Sequence, residues 1–202
     1  MAGVLILVRH GQSQWNLEDR FTGWTDVPLT DTGRAEARTA GDTLKTYRFD
    51  RAFTSLLSRA YETLQIILDV TGQPDVPIER DQALNERHYG DLQGLNKAKT
   101  AERLGRDIVF AWRRSYDVAP PGGESLKDTQ ARIWPYYRAR IEPLVIAGQT
   151  ILVVAHANSL RALVVALDDL PPQDVPDLHI PTGVPRRYVL NSAGVILERG
   201  YL

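Results

Sequence analysis

The chain contains no cysteine, a single methionine and four phenylalanines among 202 residues. Without cysteine there is no disulfide framework, and no thiolate can act as nucleophile or metal ligand, a composition compatible with a reducing cytosol. No apolar run approaches the roughly 20 residues of a membrane-spanning helix, so no membrane partner is expected. The apolar start is broken by Arg9 and His10 before it reaches the length and cleavage pattern of a secretion signal. Nor is there a surplus of charge: 24 Lys and Arg against 25 Asp and Glu leave a formal net charge of -1. That balance argues against nucleic acid as a partner and requires any phosphate chemistry to come from a local basic cluster. No repeat or low-complexity tract occurs, and the 43% hydrophobic and 24% charged shares are those of a folded protein. One well-buried core is expected, hence a single domain over 1–202, a cytoplasmic enzyme or binding protein.

What is present begins at Val4-Leu5-Ile6-Leu7-Val8, an apolar run short enough to be a buried strand, which stops at Arg9-His10-Gly11. Ligands of open α/β sheets bind at the carboxyl ends of strands, so Arg9 and His10 are expected at the rim of a site, with Gly11 letting the backbone approach a ligand closely. A neutral imidazole can attack phosphorus, and an adjacent guanidinium grips phosphate oxygens while keeping that imidazole unprotonated. A strand-end histidine that merely hydrogen-bonds a carbonyl would leave the same tripeptide.

The rest of the chain repeats this design. A helix is predicted from about Thr30 to Tyr47, packing Ala35, Ala40 and Leu44 on a sheet. Arg51-Ala52-Phe53-Thr54 reads as a second strand, handing over at Ser55 to a helix with Leu64, Ile67 and Leu68 on one face and Arg59 near its anion-attracting start. Read alone, Arg59 could be a solvated surface arginine. The polar, glycine-punctuated stretch Ala83 to Gly94 reads as a functional loop. Its Glu86 is either an exposed carboxylate or an acid and base, since an incoming phosphate dianion favours a protonated carboxyl that can donate to a leaving oxygen. Lys97 follows, and Trp112-Arg113-Arg114 ends an amphipathic segment from Ile108, the arginines forming a solvated face or an anion clamp. After the turn at Pro120-Pro121-Gly122-Gly123, a long helical pattern runs to Val145, with kinks or breaks predicted at Pro135 and Pro143. Thr150 to Ala155 is the clearest strand, and it stops at His156-Ala157-Asn158-Ser159, followed by a helix over Leu160 to Leu167. His156 thus takes a position equivalent to that of His10. Tyr188 to Leu197 reads as a closing hairpin.

Two strand-end histidines, two arginines and a loop glutamate form one constellation, and with it the chain resembles the histidine phosphatase superfamily. Within that superfamily LVRHGQSQWN, RFTGWTDVPLT, SLLSRA, LNERHYGDLQGLNK, WRRS, AHANSLRA and IPTGVP are similar to the cofactor-dependent phosphoglycerate mutases over nearly the whole chain. The resemblance implies a three-layer α/β/α sandwich around a mostly parallel sheet. It also implies interconversion of 3-phosphoglycerate and 2-phosphoglycerate through phosphohistidine, primed by 2,3-bisphosphoglycerate and needing no metal. By resemblance His10 is the phosphorylated nucleophile, Glu86 the proton donor and acceptor, and His156 the stabiliser of the transferring group. Arg9, Asn16, Arg59 and the backbone near Ala157 and Asn158 would hold the phosphoryl group. Ser13, Thr22, Gly23, Tyr89, Lys97, Arg113 and Arg114 would hold the remainder of the small phosphoglycerate.

Three departures accompany the resemblance. Pro120 to Ser125 takes a short cut where longer members carry an insert that contributes to subunit contacts, leaving monomer and homo-oligomer both open. The chain ends at Leu202 where many members continue in a mobile tail over the site, which predicts easier access of water to phosphohistidine and more phosphatase leakage. Ala157 stands where glycine is usual, tolerable if its φ is negative. Rival readings are a dedicated phosphatase of the same superfamily and a non-catalytic phosphate-binding protein on the same fold. A metalloenzyme is disfavoured because His10 and His156 lack a nearby ligand at metal-binding spacing, and His88 and His179 read as ordinary loop histidines.

Overall fold

The computed structural model describes residues 2–202. Strand β1 (Gly3–Arg9) leads through a short helix α1 (Gln14–Leu17) and helix α2 (Asp31–Thr43) to β2 (Arg51–Thr54), α3 (Ser58–Val70) and β3 (Ile78–Arg80). An irregular stretch with two 3₁₀ turns precedes α4 (Lys97–Leu104) and α5 (Arg106–Arg114). Then come α6 (Leu126–Tyr136), a π turn (Tyr137–Ile141), α7 (Glu142–Ile146), β4 (Thr150–Ala155), α8 (Ala157–Leu167), β5 (Arg186–Leu190) and β6 (Ile196–Tyr201).

The six strands form one sheet in the order β3-β2-β4-β1-β5-β6, parallel from β3 to β1 and antiparallel where β5 and β6 close it. Successive side chains of a strand face opposite ways, so the continuous apolar runs of β1 and β4 serve two cores at once. Leu5, Leu7, Ile151, Val153 and Ala155 pack with Ile133, Leu160 and Leu163 of α6 and α8. Ile6, Val8, Leu152 and Val154 pack with Ala40, Leu44, Leu64, Ile67 and Leu68 from the α2 and α3 side. The result is the three-layer sandwich expected from the sequence, with helices on both faces of a mostly parallel sheet. Among the described residues no helix is long and apolar enough to cross a membrane.

Several expectations need correction. Helix α2 stops at Thr43, and its buried face is Gly33, Ala37, Ala40 and Gly41; Ala35 is exposed. The helix after β2 begins at Ser58, three residues beyond Ser55, and α8 begins at Ala157, three residues before Leu160. The breaks expected at the prolines are present: a π turn over Tyr137–Ile141 separates α6, with Pro135 one residue before its end, from α7, whose first turn holds Pro143. The hairpin is longer than expected, its strands running to Tyr201. Gly11 does provide a close approach, but to protein: a Cβ there would lie 2.1 Å from the carbonyl oxygen of Gly33, so the loop after β1 rests directly on the start of α2.

Candidate active site

The site starts from a register. In the parallel pair of β1 and β4, Arg9 lies opposite Ala155, and the N–H of His10 donates to the Ala155 carbonyl at 2.9 Å. Both strands therefore end together and each delivers its next residue, a histidine, to the same place. The rings of His10 and His156 meet edge to face with centroids 4.9 Å apart, and they are 3% and 0% exposed. His10 Nδ1 is 2.6 Å from the Gly11 carbonyl oxygen. A carbonyl only accepts, so Nδ1 carries the hydrogen and Nε2 keeps its lone pair. Burial, followed by the charges of Arg59 and Arg9, holds the His10 pKa well below the ordinary 6.5, so the ring is neutral at pH 7. The carbonyl-bonded histidine is thus also one with a free ring-nitrogen lone pair.

His156 is also pushed well below 6.5, by burial and then by Arg59, His10 and Arg9. Its Nε2 lies 2.7 Å from Ser55 Oγ, which in turn accepts the N–H of Leu57 at 3.2 Å. His156 Nδ1 is buried without a partner. Fewest groups are left unpaired if the Ser55 hydroxyl donates to Nε2, which places the hydrogen on Nδ1 as a free donor. Sequence reasoning missed Ser55, reading it only as a helix start.

Arg59 is 1% exposed, which excludes a solvated surface arginine, and its guanidinium donates to the carbonyls of Gly23 (2.8 Å) and Thr25 (3.0 Å). Burial lowers its pKa to about 10, so it remains charged at neutral pH. Arg9 donates from Nη1 to Ile180 at 2.9 Å, while its Nε is buried without a partner. A buried donor left unpaired costs about 1–3 kcal/mol, and more when charged, so Arg9 Nε and His156 Nδ1 are each suited to an acceptor oxygen such as those of phosphate. Glu86 is buried rather than exposed; its Oε1 accepts the N–H groups of Arg87 (2.8 Å) and Asn158 (3.1 Å), the latter from the N-terminus of α8.

Beside these groups opens a cavity of about 210 Å³. Of the expected residues, Arg9, Asn16, Thr22, Gly23, Glu86, Tyr89, Lys97, Arg113, Arg114, Ala157 and Asn158 line it. His10, Arg59 and His156 are buried outside that lining, and Ser13 is not brought there: it is buried and caps α1 by accepting the Asn16 N–H. Ala157 opens a helix, outside the positive-φ region that glycine alone would favour. Tyr89 Oη accepts from Arg87 at 2.8 Å and from Asn158 at 3.3 Å. Burial acts to raise the Tyr89 pKa, yet the charge and hydrogen bond of Arg87, with that of Asn158, leave it lowered.

Arg20, Arg161, Leu178, His179 and Ile180 line the cavity without having been anticipated. His179, an exposed loop histidine, borders the cavity. Arg161 was hidden by lying in an apolar helix; burial lowers its pKa to about 10, and it donates to the carbonyls of Arg113 (3.3 Å), Arg114 (3.2 Å) and Val175 (2.6 Å). The end of α5 is thus fastened beneath its own two arginines. The cavity wall carries Arg9, Arg20, Lys97, Arg113, Arg114 and Arg161 against the single carboxylate Glu86. That excess of cations suits a ligand with more than one acidic group, and among the described residues no cluster of three or more His, Cys, Asp or Glu side chains gathers to bind a metal.

A neutral, oriented histidine beside arginines and a carboxyl group has the parts that phosphoryl transfer uses, and the sequence pattern of the histidine phosphatase superfamily (branch 1) matches residues 5–198. The chain belongs to that superfamily. Within it, the chain belongs to the 2,3-bisphosphoglycerate-dependent phosphoglycerate mutases. It is 55% identical over 204 residues to the protein of that name from Mesorhizobium japonicum, covering 100% of this chain and 99% of the relative. The same figures hold for the protein of that name from Brucella anthropi. Among solved structures, a protein described as mycobacterial hydrolase 1 superposes with a TM-score of 0.85 at 30% identity, covering 100% of this chain and 97% of that one.

Proposed function

We infer that the enzyme interconverts 3-phosphoglycerate and 2-phosphoglycerate in glycolysis and gluconeogenesis through a phosphohistidine intermediate, with 2,3-bisphosphoglycerate as the priming phosphoryl donor. The observation that carries the reading is the pairing of a neutral His10, its Nε2 lone pair free, with a wall of cations extending from Arg9 to Lys97, Arg113 and Arg114. A phosphomonoester needs only the first part; a phosphoglycerate, with a second acidic group, uses both.

In this reading His10 Nε2 forms a bond to phosphorus as the bond from phosphorus to the substrate oxygen breaks, and Glu86 gives its proton to that departing oxygen. Arg9, Arg59, Asn16 and His156 Nδ1–H stabilise the charge of the transferring group, the task a metal ion performs in other phosphoryl transfers. Thr22, Gly23, Tyr89, Lys97, Arg113, Arg114, Ala157 and Asn158 orient the remainder, so that either hydroxyl of glycerate can face His10. Ser13 acts indirectly, through the α1 cap that places Asn16. Two of the buried unpaired donors, Arg9 Nε and His156 Nδ1, fit a priming phosphoryl group. One sheet shared by both core clusters supports a single domain, and trianionic substrates confined by membranes support a cytoplasmic site of action.

The test is mutase activity on 3-phosphoglycerate in the presence of a chelator, with and without a trace of 2,3-bisphosphoglycerate. Turnover that survives chelation and rises with the primer is the expected result. Steady release of inorganic phosphate without isomerisation would instead assign the chain to the phosphatases of the superfamily.

A further inference from the structure

Arg132 projects from α6 and does not line the cavity, yet it gathers the loop that carries Glu86. Its Nη1 donates to the carbonyls of Gln82 (3.1 Å), Ala83 (2.8 Å) and Asn85 (3.3 Å), and its Nη2 to the carbonyl of Glu86 itself (3.3 Å). The remaining edge of the guanidinium forks onto Glu124, with Nε to Oε1 and Nη2 to Oε2 both at 2.9 Å. Glu124 stands on the short connection after Pro120 and also accepts the N–H of His88 at 2.9 Å, while its own N–H donates to the His88 carbonyl at 2.8 Å. Trp24, whose ring centroid lies 5.5 Å from Arg132 Cζ, donates from its indole N–H to the Glu86 carbonyl at 2.6 Å.

The backbone up to Glu86 is thereby bound to α6, and beyond it His88 is held by Glu124, although the segment belongs to no sheet. Loops without a ladder of their own are mobile unless tied down, and proton transfer tolerates little displacement of the donor. We propose that Arg132, braced by Glu124, is a positioning residue for phosphoryl transfer, fixing where Glu86 presents its proton to the departing oxygen. The proposal rests on the reading of Glu86 as acid and base. Lysine cannot replace this arginine, because one ammonium cannot grip a carboxylate in a fork and reach the row of carbonyls as well.

The experiment compares Arg132→Lys, Glu86→Gln and the double variant with two phosphoryl donors. Phosphoglycerate leaves as an alkoxide that needs a proton, whereas p-nitrophenyl phosphate leaves as a phenolate that does not. Arg132→Lys is expected to lower mutase kcat by about 30-fold with KM changed less than about threefold, as for a displaced general acid. The first-turnover burst of p-nitrophenolate should change by less than about threefold, and adding Arg132→Lys to Glu86→Gln should cost nothing further, as expected if one residue acts only through the other. Equal losses with both donors, or additive losses in the double variant, would overturn the proposal. If Glu86→Gln by itself slows both donors equally, the acid and base reading of Glu86 fails and takes the proposal with it, a result distinct from the first. Should Arg132→Lys not fold, Glu124→Gln keeps the shape and weakens the brace; the same split between donors, smaller in size, is expected, and an even loss overturns the proposal.

Discussion

The Nδ1 of His10 donates to the carbonyl oxygen of its own neighbour, Gly11, across 2.6 Å, and this bond leaves Nε2 as the ring nitrogen with a lone pair. Serine and tyrosine oxygens are weak nucleophiles without a base, and the Nε2 of the neighbouring His156 is engaged by Ser55. His10→Ala is therefore expected to reduce mutase turnover by at least about a thousandfold while leaving the fold intact, because the side chain removed is not part of either core cluster. A coupled assay for 2-phosphoglycerate and a circular dichroism spectrum check both halves of the statement; a fully active variant removes the central claim.

Two buried, neutral histidines make stability depend on pH with a defined sign. Their folded-state pKa values lie below the ordinary 6.5, so as pH falls through about 6.5 the unfolded chain takes up protons that the native state refuses. Stability is present above that pH and is lost below it, with a limiting slope of about 1.4 kcal/mol per pH unit for each histidine. Urea unfolding between pH 7.5 and 5 should show this slope, and His10→Asn should remove about half of it. A flat profile would mean that the rings take up protons in the native state as readily as in the unfolded chain.

Ser55 fixes the tautomer of His156. Ser55→Ala leaves Nε2 without its 2.7 Å partner and frees the proton to move there, away from the phosphoryl group. A fall in kcat of about tenfold, with a stability loss of about 1 kcal/mol, is expected from one lost hydrogen bond. Ser55→Thr keeps the hydroxyl and should recover most of the rate if that bond is what matters.

Arg161 caps α5 from outside. Replacing it by Met releases the carbonyls of Arg113 and Arg114, and the loss of one charge-assisted bond, about 1.5–3 kcal/mol, corresponds to roughly tenfold or more in KM for phosphoglycerate. Burst phosphorylation by p-nitrophenyl phosphate, which offers no second acidic group to Arg113 or Arg114, should be less affected. A KM that does not move would place those arginines away from the substrate.

Gly11 and Gly33 form a backbone contact with no room for a methyl group. Gly11→Ala puts a Cβ 2.1 Å from the Gly33 carbonyl oxygen, and neither side of the clash is a flexible side chain. A stability loss of about 1–3 kcal/mol is expected, with a larger fractional loss of activity because His10 moves with the loop. Thermal unfolding and turnover measured on the same preparation check it.

The sequence discloses this molecule unevenly, and the reasons are physical. Strands β1 and β4 are legible because both faces of each are covered, which writes them as unbroken apolar runs. The histidines that follow them inherit that clarity. Strand β3, three partly exposed residues at the edge of the sheet, has no such run and was not anticipated. Ala35 was assigned to a buried face because alanine fits either side of a helix, whereas the true face is set by Gly33 and Gly41, whose lack of side chain reveals itself only when another backbone or Val70 comes close. Ser55, Arg132 and Arg161 escaped for a different reason. A hydroxyl or a guanidinium is chemically the same whether solvated or buried, and which carbonyls it meets depends on tertiary approach.

The matched ends of β1 and β4 also have a bearing on how the enzyme comes into being. Arg9 and Ala155 belong to opposite ends of the chain and are brought side by side only by the last central strand to emerge from the ribosome. Pairing of such distant segments is slow, because the long loop between them must close before any contact rewards it. A growing chain that has not reached Thr150 already carries His10, Glu86 and every cation as far as Arg114, but lacks β4, the strand whose end lies level with that of β1. A chain stopped short of β4 therefore lacks both the strand that sets the position of His10 and His156 itself.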